Sequence, residues 1–198
     1  MEQEQWDQLY AGTELVWTAG PNQFVAEELA GEPPGRVLDL GTGEGRNAIW
    51  LAGQGWQVTA VDFAAAGLAK AQRLAAARGV TVEWVQADLR RYQPAQGAYD
   101  LVLIAYIHLP WAEFAALLSA AESALAPGGT LLVVGHDADN ISRGYGGPQD
   151  PEILHRAGDV VAALPGLAIR RAGQARRKVQ TDAGERVAID TVVRAQRA

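Results

Sequence analysis

The sequence contains no cysteine among its 198 residues. That excludes disulfides, thiolate-ligated zinc and a cysteine nucleophile together. It also lacks any run of about 18 apolar residues, so no membrane-spanning helix and no membrane partner are expected. The first ten residues, MEQEQWDQLY, are polar and acidic and do not read as a signal peptide. These absences fit a protein of the cytoplasm. Positive charge is scarce over most of the chain: residues 1–165 hold 9 basic and 20 acidic residues, whereas residues 166–198 hold 8 and 3. Binding to a phosphate backbone needs a positive field, so nucleic acid is not the expected partner. The cluster Arg176, Arg177, Lys178 reads as the solvated face of a strand.

What is present is a regular alternation of short apolar runs and helical segments. The length suits one domain. Gln3–Tyr10 and Pro21–Ala30 read as helices, followed by the breaker GEPPG at 31–35. Strands are expected at 36–40, 57–62, 81–86, 99–105 and 130–135, with helices at 44–53, 64–77, 111–125 and 158–164. Gly79 suits the cap of the second of these helices, and PGG at 127–129 the stop of the third. Such alternation predicts a parallel sheet with right-handed crossovers. The ending differs. Segments 167–178 and 186–196 are both β-rich and flank TDAGE at 181–185, which predicts a closing antiparallel hairpin.

Between the first strand and the first crossover helix stands VLDLGTGEGRN (37–47). Glycines there let the backbone approach a ligand, and the helix start offers free N–H groups. The dinucleotide fingerprint is G-x-G-x-x-G. Here the third glycine, Gly45, comes one residue early, and Arg46 takes its usual place. Glu44 would face a pyrophosphate, so the loop suits a ligand without phosphates. Asp39 reads as a brace for the turn. Asp62 ends the second strand, where a carboxylate can accept both hydroxyls of a ribose. Asp88 follows the third strand, where it can accept from an adenine amino group beside the Leu89 N–H. Either acid alone also suits a helix N-cap. Arg46, in the first helical turn, reads as a surface residue or as a partner for a carboxylate.

With VLDLGTGEGRN, VTAVDF, VQADL, YDLVLIAYIHL and LAPGGTLLVV in this order, the chain resembles the class I S-adenosylmethionine-dependent methyltransferases over residues 36–135, and the hairpin extends the match to the C-terminus. GEGRN and the N-terminal WDQLY are similar to the tellurite-resistance and thiopurine methyltransferase branch. The resemblance implies an α/β, Rossmann-like seven-stranded methyltransferase sheet, order 3-2-1-4-5-7-6, with strand 7 antiparallel and helices on both faces. It implies one domain over 1–198, with residues 1–30 a helical lid and 36–198 the core. It places Trp6, Trp17, Gly41, Gly43, Arg46, Asp62, Phe63, Asp88, Leu89 and Ala105 at the cofactor S-adenosyl-L-methionine, which would leave as S-adenosyl-L-homocysteine. Trp6, Tyr10 and Trp17 also suit ordinary core aromatics.

Acceptor-side residues are expected after the fourth and fifth strands: Tyr106 and His108 in AYIHLP, His136 in GHDADN, and Tyr145 in the following polar loop. His136 is the candidate general base, since an imidazole titrates near neutrality; it also suits a structural histidine. A metal among His136, Asp137, Asp139 and Asn140 is not expected. Methyltransferases of the catechol type hold theirs with acids at the end of strand 4, where Ala105 stands. The implied reaction moves a methyl group to a small-molecule nucleophile. A non-catalytic S-adenosylmethionine-binding protein remains a rival. A nicotinamide-dependent reductase is disfavoured, because Lys occurs only at 70 and 178, neither four residues after a Tyr. No Gly-Lys-Ser/Thr occurs, so a P-loop is excluded. Oligomeric state is left open.

Overall fold

The computed structural model describes residues 3–12, 14–16, 18 and 20–198. Two helices, α1 (Gln3–Tyr10) and α2 (Gln23–Glu28), precede β1 (Arg36–Leu40). Then come α3 (Arg46–Gly53), β2 (Gln57–Asp62), α4 (Ala65–Ala77), β3 (Glu83–Gln86) and β4 (Tyr99–Ala105). The chain continues through α5 (Trp111–Ala124), β5 (Leu125–His136), α6 (Asn140–Arg143), a 3-10 turn at Pro151–Ile153, and α7 (Ala157–Ala162). It closes with β6 (Leu167–Thr181) and β7 (Gly184–Arg197).

These strands form one seven-stranded sheet in the order β3-β2-β1-β4-β5-β7-β6. β1 to β5 are parallel, and β7 runs antiparallel to both β5 and β6. The central strands are apolar on both faces because helices cover both: Leu101, Val102, Leu103 and Ile104 of β4 are all buried. One face packs Phe24 and Val25 of α2 and Ala48 and Leu51 of α3 against β1, β2 and β4. The other packs Phe114, Leu118 and Ala121 of α5 and Val160 of α7.

Of the boundaries that differ from the sequence reading, three have a local cause that the structure shows. α2 begins at Gln23 because the Asn22 side chain accepts the N–H groups of Phe24 and Val25. α3 begins at Arg46, since Gly43 and Gly45 still belong to the loop, with Gly45 at φ 77°. The LAPGG segment is not a stop between helix and strand. β5 starts at Leu125, paired with Tyr99, and bulges before Leu101 pairs with Thr130. Gly129 fills that bulge, where a Cβ would stand 2.9 Å from both Ala126 O and Tyr99 O.

β7 meets β5 only from Gln196 back to Asp190, which pairs with His136. The rest of the hairpin, ending in a two-residue turn between Thr181 and Gly184, extends past the end of β5. It therefore overhangs the carboxyl ends of the parallel strands, where open α/β sheets bind ligands.

Candidate active site

The glycine loop is held from beneath. Thr42 donates its hydroxyl to Asp39 (2.7 Å), and the Gly41 and Thr42 N–H groups donate to Val61 O (2.8 and 3.0 Å). A Cβ on Gly41, at φ 79°, would overlap Ile107 Cδ1, and one on Gly45 would stand 2.8 Å from the Trp84 ring. The loop is thus glycine by close approach as well as by backbone conformation. Burial pushes the Asp39 carboxyl up to about 6, against the opposing hydrogen bond from Thr42. A carboxyl raised on folding stabilises while protonated, so its contribution is full below pH ~4 and is lost as pH rises through ~6. Relative to an Asp39→Asn variant, the protein is expected to lose about 3 kcal/mol between those limits. Urea midpoints followed from pH 4 to 7 read that difference; other titrating groups are common to both proteins and drop out. A difference independent of pH would contradict it.

Asp62 lies at the edge of the loop, 6% exposed. It accepts the Gly43 N–H (2.8 Å) and the Ala64 N–H (2.9 Å), and burial raises its carboxyl. No cation pairs with it among the described residues. Phe63 follows, half-buried. Asp88 opens a turn at 89–91 and caps no helix. Its carboxylate accepts the Arg90 N–H (2.9 Å) and pairs with the Arg90 guanidinium (2.8 Å), whose hydrogen bond holds it below its ordinary range. Leu89 leans toward the Gly41 position beside Ile107. Ala105, half-buried, ends β4.

The N-terminal segment is tied to this loop. Tyr10 is buried, with its ring between Gly43 and Gly67 and Trp6 stacked on it at 5.5 Å. Asp7 accepts the Ala66 N–H (2.9 Å) in the first turn of α4. Glu44 forms a buried ion pair with Lys70 (2.9 Å). Glu44 also accepts the Val16 N–H (3.0 Å), and Lys70 donates to Glu14 O (2.5 Å). Trp17 lies outside the described residues.

Past β4 the chain turns at Tyr106, a non-glycine residue at φ 58°. Such a conformation is uncommon for a bulky residue and points to a constrained site. The Tyr106 hydroxyl donates to Asp190 (2.8 Å) and accepts from Asn22 Nδ2 and Arg177 Nε (both 3.2 Å). Arg177 Nε also donates to Asp190 (2.7 Å). The Arg46 and Arg177 guanidinium carbons stand 5.8 and 5.6 Å from the Tyr106 ring centre. Burial, reinforced by Arg177, lowers the Arg46 pKa, while Tyr106 and Asp39 act the other way. Arg46 has no acidic partner among the described residues.

His136 Nδ1 lies 3.2 Å from Asp190, off the direction of a well-formed hydrogen bond. Its ring meets Tyr106 edge-on at 4.9 Å and His108 in parallel at 5.6 Å. Burial, then His136 and His155, hold His108 down to about 4. Tyr145 is 44% exposed; two residues on, a Cβ at Gly147 would stand 2.9 Å from the His136 ring. Asp137 and Asn140 serve the fold: Asp137 accepts from Thr191 (2.6 Å), and Asn140 accepts the Ile189 N–H (2.7 Å). Among the described residues no group of three His, Cys, Asp or Glu is placed to hold a metal.

The structure therefore gathers Tyr106, His108 and His136 around Asp190, Arg177 and Asn22, none of which the sequence reading selected for the site. Arg177 corrects that reading directly. Arg176 and Lys178 are exposed, but Arg177 turns inward onto Asp190.

Residues 37–129 match a family model described as a methyltransferase domain. The chain is 36% identical over 125 residues to the demethylmenaquinone methyltransferase of Thermus thermophilus, covering 62% of this chain and 55% of the relative. Other relatives include ribosomal RNA small subunit and release factor glutamine methyltransferases. The chain spans only about half, or less, of the length of these curated relatives. Among solved structures, one described for the conversion of a disulfide bond into a thioacetal group during echinomycin biosynthesis superposes with a TM-score of 0.79 at 21% identity, covering 98% of this chain and 91% of that one. TehB from Haemophilus influenzae superposes with a TM-score of 0.75 at 16% identity, covering 99% and 67%.

Proposed function

We propose, for a chain that carries the class I S-adenosylmethionine-dependent methyltransferase fold and domain, transfer of a methyl group from S-adenosyl-L-methionine to a small-molecule nucleophile held over the ends of β4 and β5. One observation carries this reading: two groups of opposite charge, neither in an ion pair among the described residues, flank the glycine loop. Among the described residues, Asp62 is a buried carboxylate with no cation paired to it, and Arg46 is a half-buried guanidinium with no carboxylate paired to it. A ribose with two hydroxyls suits the first, and an amino-acid carboxylate the second. S-adenosylmethionine has both and no phosphate, which fits a loop whose Glu44 is already committed to Lys70.

Bound there, this cofactor supplies a sulfonium methyl open to in-line displacement. The chain's own work is positioning and exclusion of water. Gly41 and Gly43 admit the ligand against the backbone, with Phe63, Leu89 and Ala105 along its sides. Asp88, eased from Arg90, serves the adenine end. Trp6 and Tyr10 close the N-terminal side as a lid, with Trp17 in the same segment. Tyr106, His108 and His136 face the acceptor, and Tyr145 lies at its entrance. The branch resembled by GEGRN and WDQLY supports a small acceptor, as does the acidic balance of residues 1–165.

Calorimetry and thermal melting test the reading. S-adenosylhomocysteine at about 100 times its Kd should add about 2.7 kcal/mol of stability, with no comparable shift from NAD. A larger shift from NAD would favour a reductase. Tight binding without turnover of labelled S-adenosylmethionine across a broad panel of nucleophiles would favour a non-catalytic binder. Labelling of RNA or protein alone would move the acceptor to that class.

A further inference from the structure

Asp190 is wholly buried on β7 and faces His136 on β5 as its cross-strand partner. It receives Tyr106 Oη at 2.8 Å and Arg177 Nε at 2.7 Å, and lies 3.2 Å from His136 Nδ1. Burial pushes the Asp190 carboxyl up, but His136, Arg177 and Tyr106 more than offset that and hold it below its ordinary range. It is therefore a fixed anion at the back of the imidazole. Such an anion favours the tautomer that carries its proton on Nδ1, leaving the Nε2 lone pair directed away from it. The other titratable and charged groups around the ring are Tyr106 and His108 beyond β4 and Arg177 on β6. Arg177 and Tyr106 are anchored on Asp190 and do not compete for Nε2. The His108 ring stacks on that of His136 at 5.6 Å, and its buried Nε2 has no hydrogen-bond partner among the described residues.

Resting on the methyltransferase reading above, the geometry points to Asp190 as the positioning residue that makes His136 Nε2 a proton acceptor, and so to acceptors of the class X–H, a thiol, hydroxyl or amine that loses a proton on methylation. In that step the X–C bond forms as the S–C bond breaks. The S–C electron pair stays on sulfur as a thioether, the X–H bond breaks, and its proton goes to His136 Nε2. The nucleophiles this arrangement does not serve are those with no proton to lose, such as a dialkyl sulfide.

The chain has only three histidines, so imidazole nitrogen NMR can resolve each ring without any substrate. In the full chain the His136 ring should carry its proton mainly on Nδ1, and Asp190→Asn should shift it substantially toward the Nε2–H tautomer. A wild-type His136 that is mainly Nε2–H overturns the proposal without recourse to a variant, as does a tautomer unmoved in a folded Asp190→Asn protein. The second arm is turnover of labelled S-adenosylmethionine with thiophenol, catechol and dimethyl sulfide as probes. Thiophenol or catechol should be methylated, with kcat/KM falling on the order of 10²–10⁴-fold in Asp190→Asn and in His136→Gln. KM should change far less than kcat, and the acid limb of the pH profile should move in Asp190→Asn. Methylation of dimethyl sulfide at a rate equal to that of the X–H probes overturns the acceptor class. Failure to bind S-adenosylhomocysteine would instead strike the underlying reading, and the tautomer measurement separates the two.

Discussion

Lys70→Met is expected to destabilise the protein by about 3–5 kcal/mol, the cost of leaving a buried carboxylate without its cation. The Lys70 and Glu44 side chains are 7% and 3% exposed, so water cannot take over the role of the lost ammonium. Lys70 also holds the Glu14 carbonyl, and Glu44 holds the Val16 N–H, so the pair is the joint between the glycine loop, α4 and the N-terminal segment. Two readouts follow. Urea denaturation should show a loss for Lys70→Met well above that for the double variant Lys70→Met/Glu44→Gln, because the double change removes the orphaned charge. Hydrogen exchange at residues 14–16 should accelerate by more than the global loss of stability explains, reporting local release of the segment. A single variant no worse than the double would mean that the ion pair carries no net stability.

The sheet was legible because its signals are local. Apolar runs of four to seven residues separated by helical segments dictate parallel strands, and the β-rich ending with Asp-Ala-Gly dictates a hairpin. The start of β5 was not, because Pro-Gly-Gly is ordinarily a stop. Here Gly129 is required by a bulge whose neighbour, Tyr99 O, lies on another strand. The sequence contains no local trace of that approach. The overhang of the hairpin was hidden for a similar reason: it depends on where β5 ends, not on the hairpin's own residues.

The site divides the same way. Gly41, Gly43, Asp62 and Asp88 follow successive strands at characteristic spacing, and the fold delivers each to one edge. Asp190, Arg177 and Asn22 come from elements up to 168 positions apart and meet only through the sheet order. Signals for two of them did exist. Asp190 is an acid inside the apolar run VAIDTVV, where an uncompensated charge cannot remain and a partner must be near. Arg177 lies between exposed Arg176 and Lys178, and strand alternation sends it to the opposite face. Reading the three as one solvated cluster ignored that period. Asn22 was masked by Pro21, which suggested a helix start two positions too early.

Asp62→Ala is expected to weaken S-adenosylhomocysteine binding by at least 1–3 kcal/mol, roughly 5- to 150-fold, through loss of a charge-assisted contact. The structure adds a second cost. Asp62 Oδ2 and Oδ1 accept the Gly43 and Ala64 N–H groups, so the carboxylate also shapes the loop and the start of α4. Two buried donors lose their partner in the alanine variant, and stability should fall by about 1–3 kcal/mol per donor that water does not reach. Asp62→Asn separates the roles. Its amide oxygen can keep one of the backbone donors, so stability should recover in part, whereas affinity should stay reduced because an amide accepts from only one oxygen. Asp88→Ala is the internal control. Asp88 is more exposed and already paired with Arg90, so its loss should cost less affinity than that of Asp62. Calorimetry on all three variants, each checked for a cooperative melt, decides the matter. A folded Asp62→Ala protein that binds S-adenosylhomocysteine as tightly as the parent would reduce Asp62 to a loop brace, and Arg46 alone would then have to account for recognition at this edge.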